Sequence, residues 1–184
     1  MTLKKSRSST KQSRLSYTQK ATARQLNALE KYKAVIAIDP GTNTGISVAV
    51  CDDPFDDKYA KKIVVCKSEM IHNALNTVRS VVNDAIEKGY LVLVIVEDAR
   101  DISSTADKKL GAGSIRRDCS IWEDFLGEMI ANGLPVRLNL RKPTGNKFLK
   151  MNPESWRRYA KYTETKLPNE HARDSATYLF SYIY

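Results

Sequence analysis

The sequence predicts an α/β domain built on a mixed five-stranded sheet with helices on both faces. Five apolar runs have the length of strands, and the last two each follow a long segment with helical periodicity. The resulting order is βββαβαβα, in which three meandering strands precede two helix-linked strands parallel to the first. A chain of 184 residues with 42% hydrophobic content can bury the core that such a domain needs.

The first three strands are predicted near the start of the folded part. Apolar runs cover Ala34 to Ile38, Ile46 to Cys51 and Ile63 to Cys66. The first run ends at Asp39, because the proline that follows cannot continue a strand ladder. Residues 41–45 have the composition of a turn, so the first two strands are close enough to pair as a hairpin.

Helical and strand patterns alternate over the rest of the chain. Ser68 is a plausible N-cap for the first helix, and Gly89 lies just beyond its far end. The fourth strand is apolar on both faces and is therefore predicted to be central. The predicted helices are Ser68 to Lys88, Ser114 to Asn132, Pro153 to Tyr162 and Glu170 to Tyr184, and the remaining strands are Leu91 to Val96 and Val136 to Leu140.

The positive charge is concentrated at the amino end of the chain. Residues 1–33 contain nine Lys or Arg and one acid, whereas residues 34–184 contain 21 Lys or Arg and 20 acids, so most of the net charge of +9 lies in the first segment. This division predicts a flexible basic arm at residues 1–32 and a folded domain at residues 33–184. The arm favours a polyanionic partner, nucleic acid above all, while a solubilising tail and a mitochondrial transit peptide stay open as alternatives.

The cysteine and hydropathy patterns argue against two classes of protein. Cys51, Cys66 and Cys119 form no Cys-x-x-Cys pair, which disfavours a zinc site or a disulfide framework. The longest apolar run, Tyr90 to Val96, is far shorter than the roughly 18 residues of a membrane span. We therefore expect reduced thiols, no membrane partner and a cytoplasmic location, with mitochondria as the alternative.

Acidic residues stand at the ends of two predicted strands. Asp39 ends the first and Glu97 ends the fourth. If these strands are parallel neighbours, about 4.8 Å apart, both carboxylates lie at one edge of the sheet, where open α/β sheets collect functional residues. Asp174 lies near the start of the last helix, and His171 and Glu170, three and four residues earlier, share its face.

Several carboxylates that meet at one place repel each other, and a hard divalent cation typically holds such a group together. Two Mg²⁺ ions about 4 Å apart can activate water and stabilise the leaving 3′ oxygen of a phosphodiester. The basic balance of the chain supplies a reason for a polyanionic substrate. The acidic pattern therefore indicates metal-dependent phosphodiester hydrolysis.

Three segments resemble the motifs of one nuclease family. Residues 38–45, Ile-Asp-Pro-Gly-Thr-Asn-Thr-Gly, resemble the opening motif of RuvC-type Holliday-junction resolvases. Residues 94–97, Val-Ile-Val-Glu, resemble their second acidic strand, and residues 171–176, His-Ala-Arg-Asp-Ser-Ala, resemble their closing helix. The resemblance covers about residues 33–184 and implies the RNase H-like fold of the retroviral-integrase-like nuclease superfamily.

The resemblance also implies an activity, which is the cutting of four-way DNA junctions in recombination and repair. It makes Asp39, Glu97 and Asp174 ligands of Mg²⁺, for which Mn²⁺ would substitute. His171 becomes a fourth catalytic residue that ligates metal or activates water, and Glu170 is the alternative to it. A homodimer is expected, because two symmetric cuts need two active sites.

The same acidic residues also have structural interpretations. Asp39 could serve only the turn that follows it, and Glu97 could be a solvated strand end. Asp174 could form a surface ion pair with Arg100 or with Arg173. His171 could be a structural histidine.

Basic residues near the last strand and its flanking helices are predicted to hold the DNA. Residues 137–161 contain eight Lys or Arg and one acid. In a resolvase-like arrangement these cations would contact phosphates beside the acidic site, the alternative being a solvated charged face. The predicted contacts are Arg116, Arg117, Arg141, Lys142, Lys147, Lys150, Arg157 and Arg158.

One departure from the family pattern concerns the substrate. Resolvases of this type carry an aromatic residue soon after the second acid, whereas residues 98–121 contain no Phe, Tyr or Trp. Either another residue such as Phe148 takes that role, or the substrate is other branched DNA or an RNA–DNA hybrid. A further hypothesis, an inactive DNA-binding domain with the same fold, is disfavoured by the intact acidic set.

Overall fold

A computed structural model describes residues 32–50, 62–100, 109–143, 152–160, 162 and 166–180 of the chain, which form a mixed sheet with helices on both faces. The sheet has five strands in the order β3-β2-β1-β4-β5. The strands are β1 (Tyr32–Asp39), β2 (Asn43–Val50), β3 (Lys62–Met70), β4 (Leu91–Glu97) and β5 (Val136–Arg141).

The helices connect and flank these strands. Helix α1 (Ile71–Glu87) links β3 to β4 and helix α2 (Lys109–Ala131) precedes β5, so that β4 and β5 both run parallel to β1. The β1–β2 and β2–β3 pairs are antiparallel. The predicted α/β class, with a mixed five-stranded sheet in which a three-strand meander is followed by two helix-linked parallel strands, is confirmed. The helices are α1 (Ile71–Glu87), α2 (Lys109–Ala131), α3 (Pro153–Ala160) and α4 (Glu170–Thr177).

Each face of the sheet has its own apolar core. On one face, alternate residues of β1 such as Ile36 pack with α1 and with Trp122 of α2. On the other face, the intervening residues such as Ala37 pack with Trp156 of α3 and with Ala172 of α4. Because side chains alternate between the two faces along a strand, position along β1 decides which helices a residue meets.

The prediction of Ser68 as the N-cap of the first helix is wrong. Ser68 pairs with Gly45 in the β2–β3 ladder, and β3 continues to Met70. Strand β2 itself begins at Asn43, three residues before the predicted start at Ile46, and so offers a longer partner. Pairing with this extended strand outweighs the local capping preference of serine, and α1 begins at Ile71.

Other helix boundaries differ from the prediction at one end. Helix α2 begins at Lys109, before the predicted start at Ser114, and runs through a glycine-containing segment that is a weak helix former in isolation. Helix α3 ends at Ala160, short of Tyr162, whose N–H bonds to the carbonyl of Arg157. The predicted helix end at Gly89 is confirmed, since Gly89 has a φ of +70°, and α2 is likewise followed by a glycine, Gly133, with a φ of +78°.

Helix α4 is also shorter than the prediction, which extended it to Tyr184. It ends at Thr177, where the N–H groups of Tyr178 and Leu179 bond three residues back, to Ser175 and Ala176. This tighter hydrogen-bonding pattern closes the last turn of the helix. Residues 181–184 lie outside the described residues.

Several predictions concern residues outside the described ranges, among them residues 1–31 of the basic arm, Cys51 and Phe148. Cys66 and Cys119 are free thiols, and both are buried. None of the helices in the described ranges has the length and apolar character of a membrane-spanning segment.

Candidate active site

Two acidic side chains lie side by side at the carboxyl edge of the sheet. Strands β1 and β4 are parallel neighbours with Ala37 opposite Ile95, and both of these side chains belong to the core beneath α3 and α4. Since side chains two residues apart on a strand point to the same face, Asp39 and Glu97 share that face at the ends of their strands. The predicted convergence of these two residues agrees with this register.

Helix α4 brings two further polar side chains to the strand acids. Nδ1 of His171 lies 3.3 Å from Oδ2 of Asp39. Asp174, three residues later on the same helix face, is close enough to raise the pKa of Asp39. Glu170, the alternative fourth residue, is exposed in the first turn of the helix. The structure therefore brings His171 into contact with Asp39, whereas Glu170 is exposed.

The electrostatics of the site are set first by burial and then by like charges. Burial raises the pKa of Asp39 from 3.8 to about 7, and the carboxylates of Glu97 and Asp174 contribute to the rise. The charge of His171 and its hydrogen bond act in the opposite direction on the same pKa. The Asp39 side chain is only 18% exposed, so solvent screens this repulsion weakly.

The donor set fits a hard divalent cation, because carboxylate oxygens are the ligands that Mg²⁺ and Mn²⁺ prefer. Among the described residues, no three His, Cys, Asp or Glu side chains are grouped closely enough to hold an ion as they stand. Binding would therefore draw the carboxylates of Asp39, Glu97 and Asp174 together. The raised pKa of Asp39 is the physical sign of fit. Burial and the nearby carboxylates of Glu97 and Asp174 raise it, and a bound cation would stabilise the charged form against both.

Helix α4 approaches the sheet closely because residue 45 is glycine. Gly45 pairs with Asp39 across the β1–β2 ladder. A Cβ atom placed on Gly45 would overlap the backbone carbonyl of His171. Any side chain at position 45 would thus push the start of α4 away from the strand acids.

The start of α4 is also fixed from its own side. Asn169 is the N-cap, and its Oδ1 accepts the N–H of Ala172 at 3.0 Å. An N-cap of this kind satisfies one of the backbone donors that a helix start leaves open. The cap sets the residue at which α4 begins, and hence which of its residues lie over β1.

The segment after Glu97 is held by Arg100. Its Nε and Nη2 bond to Asp98 at 2.7 and 2.8 Å, and its Nη1 bonds to Glu123 of α2 at 2.6 Å. These hydrogen bonds hold the pKa of Asp98 below its usual range. Arg100 therefore binds Asp98 and Glu123, and the alternative in which it pairs with Asp174 is wrong.

Two predicted DNA contacts, Arg141 and Lys142, lie at the carboxyl end of β5, beside the strand that ends at Glu97. Arg141 is in register with Glu97 on the adjacent parallel strand, so its side chain starts on the same face as the acids. Lys142, which follows, is exposed. Lys147 and Lys150 lie outside the described residues.

The remaining predicted contacts lie on helices. Arg116 and Arg117 are exposed near the start of α2, and Cys119 one turn later bonds to the backbone carbonyl of Glu97, so this part of α2 lies at the acidic edge. On α3, Arg158 is exposed, whereas Arg157 is partly buried and lies 3.5 Å from a glutamate on the same helix.

Two residues that position α4, Gly45 and Asn169, carry no sequence signal that marks them as parts of a functional site. Gly45 has the appearance of a turn residue, and its contact with His171 depends on a pairing between distant parts of the chain. Asn169 carries a local signal, because Asn followed by Glu is typical of a helix start.

Comparison with known proteins adds a distant likeness. No protein-family model matches the chain, and no curated protein matches its sequence. A structure of T. thermophilus RuvC in complex with a Holliday junction substrate is 14% identical, with a TM-score of 0.47, over 80% of this chain and 91% of that one. Another structure of Thermus thermophilus RuvC is 17% identical, with a TM-score of 0.40, over 80% and 93%. Likeness at this level carries no conclusion about what this chain does.

Proposed function

We propose that this chain is a divalent-metal-dependent, structure-selective DNA endonuclease that resolves four-way junctions by phosphodiester hydrolysis. The observation that carries the proposal is the gathering of Asp39, Glu97, Asp174 and His171 at one sheet edge, where burial and mutual repulsion raise the pKa of Asp39 to about 7. Repelling carboxylates with a perturbed pKa, placed at the carboxyl ends of parallel strands, are typical of a functional site.

The carboxylates have a direct role in this proposal. Asp39, Glu97 and Asp174 would hold Mg²⁺, with Mn²⁺ as a substitute. A bound cation supplies positive charge to a phosphodiester that undergoes hydrolysis. His171 contacts Asp39 at 3.3 Å while its side chain is 45% exposed, so it can ligate the metal or accept a proton from the attacking water.

Cations beside the acids would hold the DNA backbone. Arg141 starts on the same sheet face as Glu97, and Arg116 and Arg117 are exposed at the same edge. Such residues bind phosphates and orient the duplex without reading its sequence. The proposed active form is a homodimer, since paired symmetric nicks need two active sites.

A second candidate substrate class follows from one feature of the sequence. Residues 98–121, which follow the second acid, contain no Phe, Tyr or Trp. A nuclease without a stacking residue at this place would act on other branched DNA or on an RNA–DNA hybrid. The metal chemistry and the acidic residues would be the same.

The test compares four labelled substrates: a four-way junction, a Y-fork, a linear duplex and an RNA–DNA hybrid. Each is incubated with and without Mg²⁺, using the native chain, Asp39→Asn, and Asp84→Asn as a matched control on the exposed face of α1. We expect paired, symmetric nicks on the junction that need Mg²⁺, vanish in Asp39→Asn and persist in Asp84→Asn.

Other outcomes separate the alternatives. Cleavage of every branched substrate would keep the nuclease and discard the junction specificity. Cleavage of the hybrid alone would move the substrate class to RNA–DNA. Tight junction binding without cleavage in either Mg²⁺ or Mn²⁺ would contradict the nuclease and favour a binding domain.

A further inference from the structure

Three buried polar side chains lie between the sheet and α4, and we call them the hydroxyl–thiol cluster: Ser47 of β2, Cys66 of β3 and Ser175 of α4. Ser47 and Ser175 have no exposed surface, and Cys66 is 7% exposed. All three reach the backbone carbonyl oxygen of Ala172, at 3.1 Å from Ser47 Oγ, 3.3 Å from Cys66 Sγ and 2.8 Å from Ser175 Oγ.

The members of the hydroxyl–thiol cluster also contact each other. Ser47 Oγ lies 2.8 Å from Ser175 Oγ and 3.4 Å from Cys66 Sγ. Each of the three protons therefore has an acceptor within reach, so the burial of these groups leaves none of the donors unsatisfied. Cys66 also belongs to the apolar core beneath α3 and α4.

The hydrogen bonds to the Ala172 carbonyl can fix the position of α4 on the sheet, which apolar packing alone cannot do. Burial of apolar surface has no preferred direction and would tolerate a helix that slides or rotates on the sheet. Hydrogen bonds to one carbonyl depend on distance and angle, and they specify one position. Helix α4 has only eight residues, so its own backbone bonds hold it weakly.

The fixed carbonyl lies next to a site residue. Ala172 directly follows His171, and its N–H is already held by the Asn169 cap. Ser47 is two residues after Gly45 on β2, so both present the same face to α4. Gly45 sets how closely α4 approaches the sheet, while the hydroxyl–thiol cluster sets where along the strand it lies.

We infer that Ser47, Cys66 and Ser175 are positioning residues for the candidate active site, which hold the Ala172 carbonyl and thereby set where His171 and Asp174 stand relative to Asp39. All three are buried, so they would act through the placement of other residues and not on the proposed substrate itself. The inference rests on the proposed function only where it concerns the rate of cleavage, because the placement of His171 can be measured without any activity.

The first test separates rate from binding. Ser47→Ala, Ser175→Ala and the double variant are compared on the labelled junction in Mg²⁺, after circular dichroism and thermal melting show that they fold. We expect kcat to fall at least about tenfold with KM changed less than about twofold, because a small misplacement of catalytic groups costs rate. The matched control is Ser120→Ala, which removes an exposed hydroxyl that bonds to the Arg116 carbonyl of α2 at 3.0 Å.

The second test needs no cleavage. The chain has two histidines, His171 at the site and the exposed His72 on α1, so nuclear magnetic resonance gives one reporter and one internal reference. In metal-free Ser47→Ala and Ser175→Ala we expect the His171 ring signals to move toward those of Asp39→Asn, while the His72 signals stay in place. Cys66→Ser, which keeps a donor, should leave His171 closer to its native position than Cys66→Ala does.

The two tests distinguish the two proposals. If folded Ser47→Ala and Ser175→Ala keep both the native His171 signals and the native kcat, the positioning role is overturned. If the native chain cleaves none of the substrates but the His171 signals still move, the proposed function fails and the positioning role stands. Should the double variant not fold, the single Ser175→Ala decides, because alanine is the residue that a helix accepts most readily.

Discussion

The charged form of Asp39 destabilises the metal-free chain near neutral pH. Its pKa is raised from 3.8 to about 7 by burial, by Glu97 and by Asp174. Below pH 4 the carboxyl keeps its proton in the folded and unfolded states alike. Between about pH 4 and 7 only the folded state keeps it. The protonated carboxyl therefore favours the folded state at low pH, and this contribution to the free energy of unfolding is lost as the pH rises through about 7.

Asp39→Asn should therefore stabilise the metal-free chain at pH 8 by at most about 4 kcal/mol and leave it nearly unchanged at pH 4. Asparagine keeps the shape of the carboxyl but carries no charge. Thermal unfolding in EDTA at the two pH values measures the difference. Added Mg²⁺ should raise the melting temperature of the native chain more than that of Asp39→Asn, and an equal or lower stability of Asp39→Asn at pH 8 would contradict the repulsion.

The neighbours of Asp39 should change its pKa in opposite directions. Glu97→Gln removes a like charge and should lower this pKa, whereas His171→Ala removes a partner that acts to lower it and should raise it. Carboxyl carbon signals of the metal-free chain, followed by nuclear magnetic resonance across the pH range, report the titration of Asp39. Shifts of the same sign in both variants would mean that the two side chains do not share the site with Asp39.

At the scale of one element, the proposed function depends on how closely α4 lies on β2. Gly45→Ala should destabilise the chain by roughly 3 kcal/mol and abolish junction cleavage, because the new methyl group overlaps the backbone of His171 and must displace the helix. Denaturant unfolding and the junction assay measure the two effects.

The control substitution is expected to change the free energy of unfolding in the opposite direction. Gly127 lies inside α2, and a Cβ there would meet no atom within 4 Å. Gly127→Ala should stabilise the chain by roughly 0.5–1 kcal/mol, because alanine is the better helix former, and should leave cleavage unchanged. Similar losses of stability in Gly45→Ala and Gly127→Ala would show that the contact with His171 is not the cause.

The elements differ in how far the sequence predicts them. Periodicity and glycine predict where α1 ends, because both signals are local, and Gly89 lies where expected. The start of α1 is set instead by the pairing of Ser68 with Gly45, two residues far apart in the chain, and no local signal encodes that. Asp39 and Glu97 could be predicted because a strand end is a local feature and parallel neighbours bring such ends together.

The residues that hold α4 on the sheet could not be predicted from local signals. Ser47 and Ser175 meet only after the sheet and the last helix pack together, and a serine in a strand or a short helix has no distinguishing pattern. His171 could be predicted as a candidate from its helical spacing to Asp174, but its choice over Glu170 depends on how α4 is rotated on the sheet. That rotation is set by contacts between elements.

At the scale of the whole molecule, most of the net charge and the proposed chemistry lie in different parts of the chain. Residues 34–184 contain 21 Lys or Arg and 20 acids and are nearly neutral, while the preceding 33 residues contain nine Lys or Arg and one acid. Long-range attraction to a polyanion would thus come from the basic arm. The folded part would contribute local phosphate contacts near the acids, such as that of Arg141.

Removal of charge from the basic arm should weaken DNA binding without slowing the chemistry. A full-length variant with five arm cations replaced by glutamine should bind the junction more weakly, and the slope of log K against log salt should become shallower by roughly 0.9 for each phosphate that the arm no longer neutralises. At saturating DNA, kcat should stay the same, because the arm contains none of the proposed catalytic residues. The replaced residues are Lys4, Lys5, Arg7, Lys11 and Arg14.

Lys88→Gln is the control for this variant, since Lys88 is exposed after α1, at the sheet edge opposite to the acids. Binding titrations at several salt concentrations, together with single-turnover cleavage, measure both quantities for each variant. A salt slope unchanged by the five substitutions would mean that the arm makes no phosphate contacts, and its role would then be that of a solubilising tail. A lower kcat at saturating DNA would instead mean that the arm helps to place the junction at the acidic edge, which would join the two parts of the chain in one mechanism.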